Sequence, residues 1–149
     1  MLIKLHELRA VPALATGITI RKPIGPEHHL LVNWVAAQFD AAWSSEAGVA
    51  LANRPVSMFI AMQADAPIGF ACYDATARGM FGPISVLPEA RGHGIGEALL
   101  LACLHDMRSA GYAYAVAGWV GPVDFFRRVA GAMLIEDSEP GVYRGMLRG

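Results

Sequence analysis

The chain has 149 residues, of which 54% are hydrophobic and 17% charged, and its formal net charge is −1. This length predicts a single domain over residues 1–149, with enough chain to bury a core. The near-neutral charge balance excludes the broad basic surface typical of nucleic-acid binding. The apolar runs are shorter than the ~20 residues of a membrane-spanning helix, and the charged N-terminal residues do not fit a signal peptide. We therefore expect neither nucleic acid nor a membrane as a partner.

The two cysteines, Cys72 and Cys103, are far apart in the sequence and form no Cys-x-x-Cys pair. This arrangement favours buried thiols in a reducing, cytoplasmic compartment and predicts no metal site. The large hydrophobic fraction predicts buried strands or an oligomer interface. A homodimer formed through the last strands is our expectation.

The first half of the chain combines strand and helix patterns. Residues 17–22 alternate in polarity and predict a strand, and residues 27–39 carry apolar side chains at helical spacing. A second helix is predicted from Trp43 to Ala52, with Ser44 or Ser45 as its N-cap. Residues 57–63 and 68–74 predict a hairpin around the turn at 64–67, and residues 80–87 predict the next strand.

The second half contains the element with the clearest pattern, a helix after Gly96. Its apolar face carries Leu99, Leu100, Cys103, Leu104 and Met107, and Gly111 ends it. Residues 112–119 predict a strand, and a short helix capped by Asp124 ends at Gly131. Residues 132–135 and 142–147 predict two short terminal strands. The predicted order is β-α-α-β-β-β-α-β-α-β-β, a mixed α/β (α+β) fold.

The loop before the long helix is the most informative stretch, because Gly92, Gly94 and Gly96 alternate there. Glycine lets the backbone come close to a ligand, and the amides at a helix N-terminus bind phosphate oxygens. Arg91 adds a guanidinium suited to phosphate. The pattern predicts a pyrophosphate-binding loop.

Two other phosphate-binding motifs fit this loop less well. A P-loop needs a lysine directly after its last glycine, but Glu97 and Ala98 follow Gly96. A dinucleotide fingerprint needs G-x-G-x-x-G early in a βαβ unit, whereas this loop reads G-x-G-x-G and comes late. An unrelated nucleotide binder stays as an alternative, and tight binding of ATP or NAD would indicate it.

The loop and its setting resemble the GNAT superfamily of acetyl-CoA-dependent N-acetyltransferases. The family's loop reads Arg/Gln-x-x-Gly-x-Gly/Ala, often after Val-x-Pro, and Val86, Pro88, Arg91, Gly94 and Gly96 match it. Residues 125–132 are similar to the family's Phe-Tyr segment, with one extra residue before the glycine. The resemblance covers about residues 17–148 and implies a mixed central sheet whose central strands splay apart between flanking helices.

The resemblance also implies an activity and which parts of the site would hold the coenzyme and the acceptor. Acetyl-CoA would be the cosubstrate, and an amine acceptor would attack it directly in a ternary complex after entering past the first two helices. The pantetheine arm would lie between the splayed strands, with Gly118 allowing close approach. A backbone N–H near Val86 would stabilise the oxyanion. The implied coenzyme contacts are Ser85, Val86, Leu87, Arg91, Gly92, His93, Gly94, Ile95, Gly96 and Phe126.

The chain departs from the family pattern at the general acid and base. Phe126 stands where the family usually has a Tyr, and Phe cannot protonate the leaving thiolate, so Tyr143 is the candidate acid, with Tyr114 as a substitute. Asp74 is the candidate base, with Tyr73 beside it, and His28 or His29 borders the acceptor side. These departures leave open a second interpretation, a catalytically weak acyl-CoA-binding or sensing module on the same fold.

Overall fold

The computed structural model describes residues 1–148, which contain six strands in one mixed sheet. The spatial order of the strands is β1-β6-β5-β4-β3-β2, and each neighbouring pair is antiparallel except β5 and β6, which are parallel. The mixed α/β class predicted from the sequence is confirmed. The strands are β1 (Leu2–Lys4), β2 (Ile18–Arg21), β3 (Met58–Gln63), β4 (Ala66–Tyr73), β5 (Met80–Val86) and β6 (Tyr114–Ala117).

Helices cover both faces of the sheet. They are α1 (His28–Gln38), α2 (Ala41–Ala52), α3 (Ile95–Ser109) and α4 (Val123–Ala130). Phe70 and Ala71 are adjacent in β4 and point to opposite faces. Phe70 belongs to the core cluster of α1 and α2, whereas Ala71 belongs to the cluster of α3 and α4. As far as residues 1–148 show, none of these helices is long and apolar enough to cross a membrane.

The N-caps of two helices differ from the sequence prediction. Asp40, not Ser44 or Ser45, caps α2, because its Oδ1 accepts from the amides of Ala42 at 2.7 Å and Trp43 at 3.2 Å. Ser44 is buried inside the helix, where its hydroxyl donates to the Val32 carbonyl of α1 at 2.9 Å. Asp124 is also not a cap, since it lies in the first turn of α4 with a fully exposed side chain. A cap residue must precede the first helical residue.

The two predicted terminal strands are wrong. Within the described residues, 132–135 contribute only an isolated bridge from Met133 to Leu2, and 141–143 form a 3-10 turn. The sheet edge beside β6 is taken instead by β1, which the sequence analysis did not predict. Ile3 in β1 is fully buried, whereas Leu147 is 96% exposed. Both segments are apolar, and burial against α3 decides which of them becomes a strand.

The parallel strands β5 and β6 part after a short paired stretch. They pair only at Met80 with Val116 and at Phe81 with Ala117 within the part of the chain described. β6 ends at this point, whereas β5 continues to Val86. The observed β6 is therefore shorter than the strand predicted at 112–119. A gap therefore opens in the sheet between the C-terminal part of β5 and the segment that follows β6.

Candidate active site

A cleft of about 1260 Å³ occupies this gap. Residues of β5, the glycine loop, the start of α2, the segment after β6 and the C-terminal segment line it. Because α2 and α3 pack on opposite faces of the sheet, the cleft runs through the gap from the α3 face to the α2 face. A ligand bound at the N-terminus of α3 can therefore extend through the sheet towards α2.

The glycine loop presents a row of backbone amides to one end of the cleft. Gly92 and Gly94 have φ angles of +82° and +77°, in the left-handed region that glycine adopts without strain. The first helical hydrogen bond runs from the Ala98 amide to the Gly94 carbonyl at 3.0 Å. Within residues 1–148, the amides from Gly92 to Glu97 have no hydrogen-bond acceptor. Such a row of N–H groups at a helix N-terminus binds an anion.

Gly96 differs from the two loop glycines, because its φ lies outside the left-handed region. A Cβ at this position would lie 3.7 Å from Cζ of Phe125 and 3.8 Å from Cγ2 of Val86, which are ordinary contacts. The fold therefore has room for a methyl group at residue 96. The space that glycine leaves there belongs to the cleft, which Phe125 and Val86 also line.

Two arginines line the same end of the cleft. The Nε of Arg91 donates to the Val86 carbonyl at 3.0 Å, which ties the loop to the end of β5. Arg128 lies over the Phe125 ring at 5.9 Å and 3.7 Å from the Glu97 carboxylate. Glu97 also binds Arg9 at 2.6 Å. Arg91 is predicted from its sequence pattern, whereas Arg128 is not, because only the packing of α4 beside α3 brings it to the cleft.

The backbone of Val86 faces the gap. Val86 pairs with Gly69 of β4, and the neighbouring Leu87 amide donates to the Ile68 carbonyl at 2.8 Å. Successive residues of an antiparallel ladder turn their backbone groups to opposite sides. The Val86 amide therefore points away from β4 and into the gap.

Of the other residues that the resemblance implies as coenzyme contacts, some line the cleft and others do not. Ser85 lines the cleft, but it alternates with Val86 and turns its backbone groups towards β4. Leu87 and His93 are outside the lining. Phe126 lines the cleft with a buried ring, whose centroid is 6.0 Å from that of Phe81.

The opposite end of the cleft brings together three polar side chains that are distant in the sequence. The Thr76 hydroxyl donates to the Glu46 carboxylate. Tyr143, which comes from the C-terminal segment, lines the cleft with both of them, and its ring contacts that of Trp119 at a centroid distance of 4.9 Å and a tilt of 37°. Tyr143 is a candidate from the sequence, whereas Glu46 is not, because helical periodicity does not show which side of α2 faces a cleft.

The environment of Tyr143 keeps its hydroxyl protonated. Burial raises the pKa of Tyr143, and the negative charge of Glu46 raises it further, while the Thr76 side chain acts in the opposite direction. A phenol with a raised pKa is neutral at physiological pH and can donate a proton.

Gly118 packs closely against this tyrosine. A Cβ there would be 2.8 Å from the Tyr143 hydroxyl oxygen and 2.7 Å from Cε of Met80. The groups that approach Gly118 closely are thus two of the chain's own side chains. They account for the glycine without a coenzyme arm.

Asp74 lies outside the cleft lining. Its Oδ1 accepts from the Gly79 amide and its Oδ2 from the Tyr112 hydroxyl, both at 2.7 Å. Oδ1 therefore stabilises the turn between β4 and β5, and Oδ2 ties that turn to the segment before β6. The remaining base candidates, His28, His29 and Tyr73, are also outside the lining, and Tyr73 donates to Asp106 at 2.6 Å.

Tyr114, the alternative acid, belongs to β6 and is 50% exposed. Its ring meets that of His6 edge-to-face at 5.8 Å, on the side of β1. It too is outside the cleft lining.

Residues 28–130 match the model of a protein family described as the acetyltransferase (GNAT) family. No curated protein matches the chain. A solved structure containing the glucosamine N-acetyltransferase region of a fungal multi-domain beta-N-acetylglucosaminidase is 18% identical, with a TM-score of 0.69 over 87% of this chain and 19% of that one. A GCN5-related N-acetyltransferase from Kribbella flavida is 15% identical, with a TM-score of 0.57 over 90% of this chain and 49% of that one.

A GNAT family acetyltransferase from Brucella melitensis, solved in complex with acetyl-CoA, is 25% identical to the chain, with a TM-score of 0.53 over 74% of this chain and 80% of that one. The chain spans less than half of the length of the fungal and Kribbella proteins. The family model nevertheless covers more than half of this chain, including the glycine loop, α3 and α4. The chain therefore belongs to the GNAT family of acetyltransferases.

Proposed function

We propose that this protein transfers the acetyl group of acetyl-CoA to an amine in a ternary complex. The observation that carries the proposal is the row of amides from Gly92 to Glu97, which have no acceptor within residues 1–148 and border the cleft between the parted strands. A diphosphate supplies the acceptors that these amides lack. Membership of an acetyltransferase family points to coenzyme A as the diphosphate carrier.

The coenzyme is held by the loop and by the parted strands. The loop amides and Arg91 bind the diphosphate, and Arg128 adds a second positive charge at the same end. The pantetheine arm lies in the gap beside β5. This path brings the thioester carbonyl to the Val86 amide, whose N–H stabilises the negative charge that develops on the carbonyl oxygen.

We assign proton transfer to Glu46 and Tyr143. The amine nitrogen forms a bond to the acetyl carbonyl carbon, and the bond from that carbon to sulfur breaks. An ammonium loses two protons in this exchange. Glu46 accepts one and passes it to solvent, while the other replaces the proton that Tyr143 donates to the leaving sulfur. Thr76 positions the Glu46 carboxylate through its hydrogen bond. Asp74, the sequence candidate for the base, has both oxygens engaged elsewhere.

Release of free thiol from acetyl-CoA in the presence of a panel of amines tests the proposal. Mass spectrometry of the amine confirms where the acetyl group goes. We expect Glu46→Gln and Tyr143→Phe each to lower the rate by about 10² to 10⁴, the usual range for a general acid or base. The affinity for coenzyme A, measured by calorimetry, should stay at the wild-type value in both variants.

The alternative is an acyl-CoA-binding or sensing module, which the phenylalanine at 126 favours. It predicts coenzyme binding with no thiol release for any amine. Binding of neither acetyl-CoA nor coenzyme A at millimolar concentration would contradict both functions, because a site at 100 times its Kd raises stability by about 2.7 kcal/mol.

We also propose that residues 1–149 form one domain that acts in the cytoplasm as a homodimer. Cys72 and Cys103 are free and fully buried, and burial raises the pKa of both thiols, which suits a reducing compartment. Exposed apolar side chains of the C-terminal segment, including Leu134 and Val142, offer a surface for a second copy. Light scattering of the purified protein tests the dimer, and a monomer at micromolar concentration contradicts it.

A further inference from the structure

The two ends of the cleft carry opposite charges. Arg91 and Arg128 line the coenzyme end, where Glu97 is already paired with Arg9. We call the other end the acceptor end, and its side chains are those of Asp40, Trp43, Glu46, Thr76, Trp119 and Tyr143. Among the described residues that line the acceptor end, two are carboxylates and none is Lys, Arg or His. An acceptor that reaches the thioester from this side meets a negative potential.

Each of these carboxylates keeps one oxygen available. Asp40 uses Oδ1 to cap α2, and Glu46 uses Oε1 to accept from Thr76. Over residues 1–148, neither side chain forms a salt bridge, and Asp40 Oδ2 and Glu46 Oε2 have no hydrogen-bond donor. The charges are thus available to a ligand.

Two tryptophans line the cleft together with these carboxylates. Trp43 lies half-buried in the first turn of α2, and Trp119 is 75% exposed with its ring tilted against that of Tyr143. Trp119 has a φ of +51°, in the left-handed region that is strained for a bulky residue. An exposed indole face attracts an ammonium group, and Trp does so more strongly than Tyr or Phe.

The two carboxylates are also spaced for two charges. Asp40 and Glu46 are six residues apart at the start of one helix, which separates their backbones by about 9 Å along the axis and by about 240° around it, and both residues line the cleft. Flexible side chains reduce or extend that distance by a few ångströms. A chain of a few methylene groups between two ammonium groups bridges such a span, with its carbon atoms on the indole rings.

We infer that the acceptor is an aliphatic diamine or polyamine, whose reacting ammonium lies at Glu46 and whose second ammonium lies at Asp40. The inference rests on the proposed function, since it identifies the substrate class of the same cleft. An amine that carries a carboxylate or phosphate near its nitrogen is disfavoured, because these anions would face two uncompensated carboxylates.

Three amines that differ only at the far end of one four-carbon chain test the inference. Diaminobutane carries a second ammonium, butylamine a methyl group and aminobutanoate a carboxylate. We expect kcat/KM per amino group to fall in that order, with an advantage of about fivefold for diaminobutane over butylamine, the upper range for an exposed ion pair. Equal or faster turnover of butylamine or aminobutanoate overturns the inference while leaving the acetyltransferase function standing.

Asp40→Asn removes the negative charge of residue 40 but keeps the helix cap, because asparagine caps a helix as well as aspartate does. The ratio of kcat/KM per amino group for diaminobutane over butylamine should fall to about one in this variant. Asp124→Asn is the matched control, since it removes the same charge from a fully exposed position outside the cleft lining and should preserve the ratio. A ratio unchanged by Asp40→Asn contradicts the role of Asp40.

A binding measurement covers the case in which none of the three amines is acetylated. Millimolar diaminobutane should raise the melting temperature of the protein saturated with coenzyme A, and butylamine should raise it less. Absence of turnover together with absence of this shift overturns the inference. Absence of coenzyme binding identifies a failure of the proposed function itself.

Discussion

Replacing Gly96 with alanine separates the stability of α3 from the binding of coenzyme. A methyl group at this position meets Phe125 and Val86 at ordinary contact distances, and the backbone is not left-handed. Glycine inside a helix costs about 0.5–1 kcal/mol relative to alanine, so Gly96→Ala should raise the free energy of unfolding by about 0.5 kcal/mol this close to the helix start. The melting temperature should rise by about 1–2 °C.

The same methyl group occupies space in the cleft beside the open amides. Since the diphosphate must approach these amides closely, we expect the Kd for coenzyme A to rise at least tenfold, which corresponds to about 1.4 kcal/mol. Calorimetric titration gives the Kd, and thermal unfolding without ligand gives the stability. A variant that is at least as stable as wild type and binds less tightly identifies Gly96 as a ligand-contact position.

Gly48→Ala is the matched control for this experiment. Gly48 lies in the middle of α2, outside the cleft lining, and a Cβ there has no atom within 4 Å among residues 1–148. It should stabilise the protein by about 1 kcal/mol and leave the Kd unchanged. Gly94→Val is less informative, because a β-branched residue at a φ of +77° adds strain to the loop. If Gly96→Ala binds coenzyme A as tightly as wild type, the diphosphate does not lie against the start of α3.

Three further predictions concern proton transfer and ion pairs. The raised pKa of Tyr143 keeps the wild-type donor protonated until the pH exceeds the ordinary tyrosine value of 10, above which kcat should decline. In Tyr143→Phe this decline of kcat at high pH should be absent, and a pH–rate profile checks this. Glu27, whose pKa is lowered to about 2 chiefly by its hydrogen bond to Arg21, contributes stability above its ordinary pKa of 4.5 and loses it as the pH falls towards 2. Glu27→Gln should therefore cost about 1 kcal/mol at neutral pH, a value discounted for solvent screening, and the difference from wild type in denaturant unfolding should vanish near pH 2. Asp74→Asn should lower the free energy of unfolding by about 1–2 kcal/mol through the turn before β5, with kcat at the wild-type value; a large loss of kcat would restore Asp74 as the base.

Local signals determined most of the architecture. Helical spacing predicted α1 and α3, whereas turn and breaker residues delimited α2, α4 and the hairpin of β3 and β4. The glycine loop was also predictable, since positive φ angles and open amides are properties of the segment from Arg91 to Gly96 alone. These features depend on residues that are close together in the sequence, so a sequence pattern can predict them.

The sheet edge and the chemistry of the acceptor end were decided by tertiary structure. The segments that begin and end the chain are both apolar, and it is β1, with Ile3 buried in the core cluster that includes α3, that pairs with β6 at the sheet edge. Glu46, Thr76 and Tyr143 are separated by tens of residues, and only the docking of α2 and of the C-terminal segment over the parted strands brings them to one cleft. A sequence pattern reports which face of an element is apolar. It does not report which polar side chains meet across elements, because that depends on how the packed faces are oriented in the folded chain.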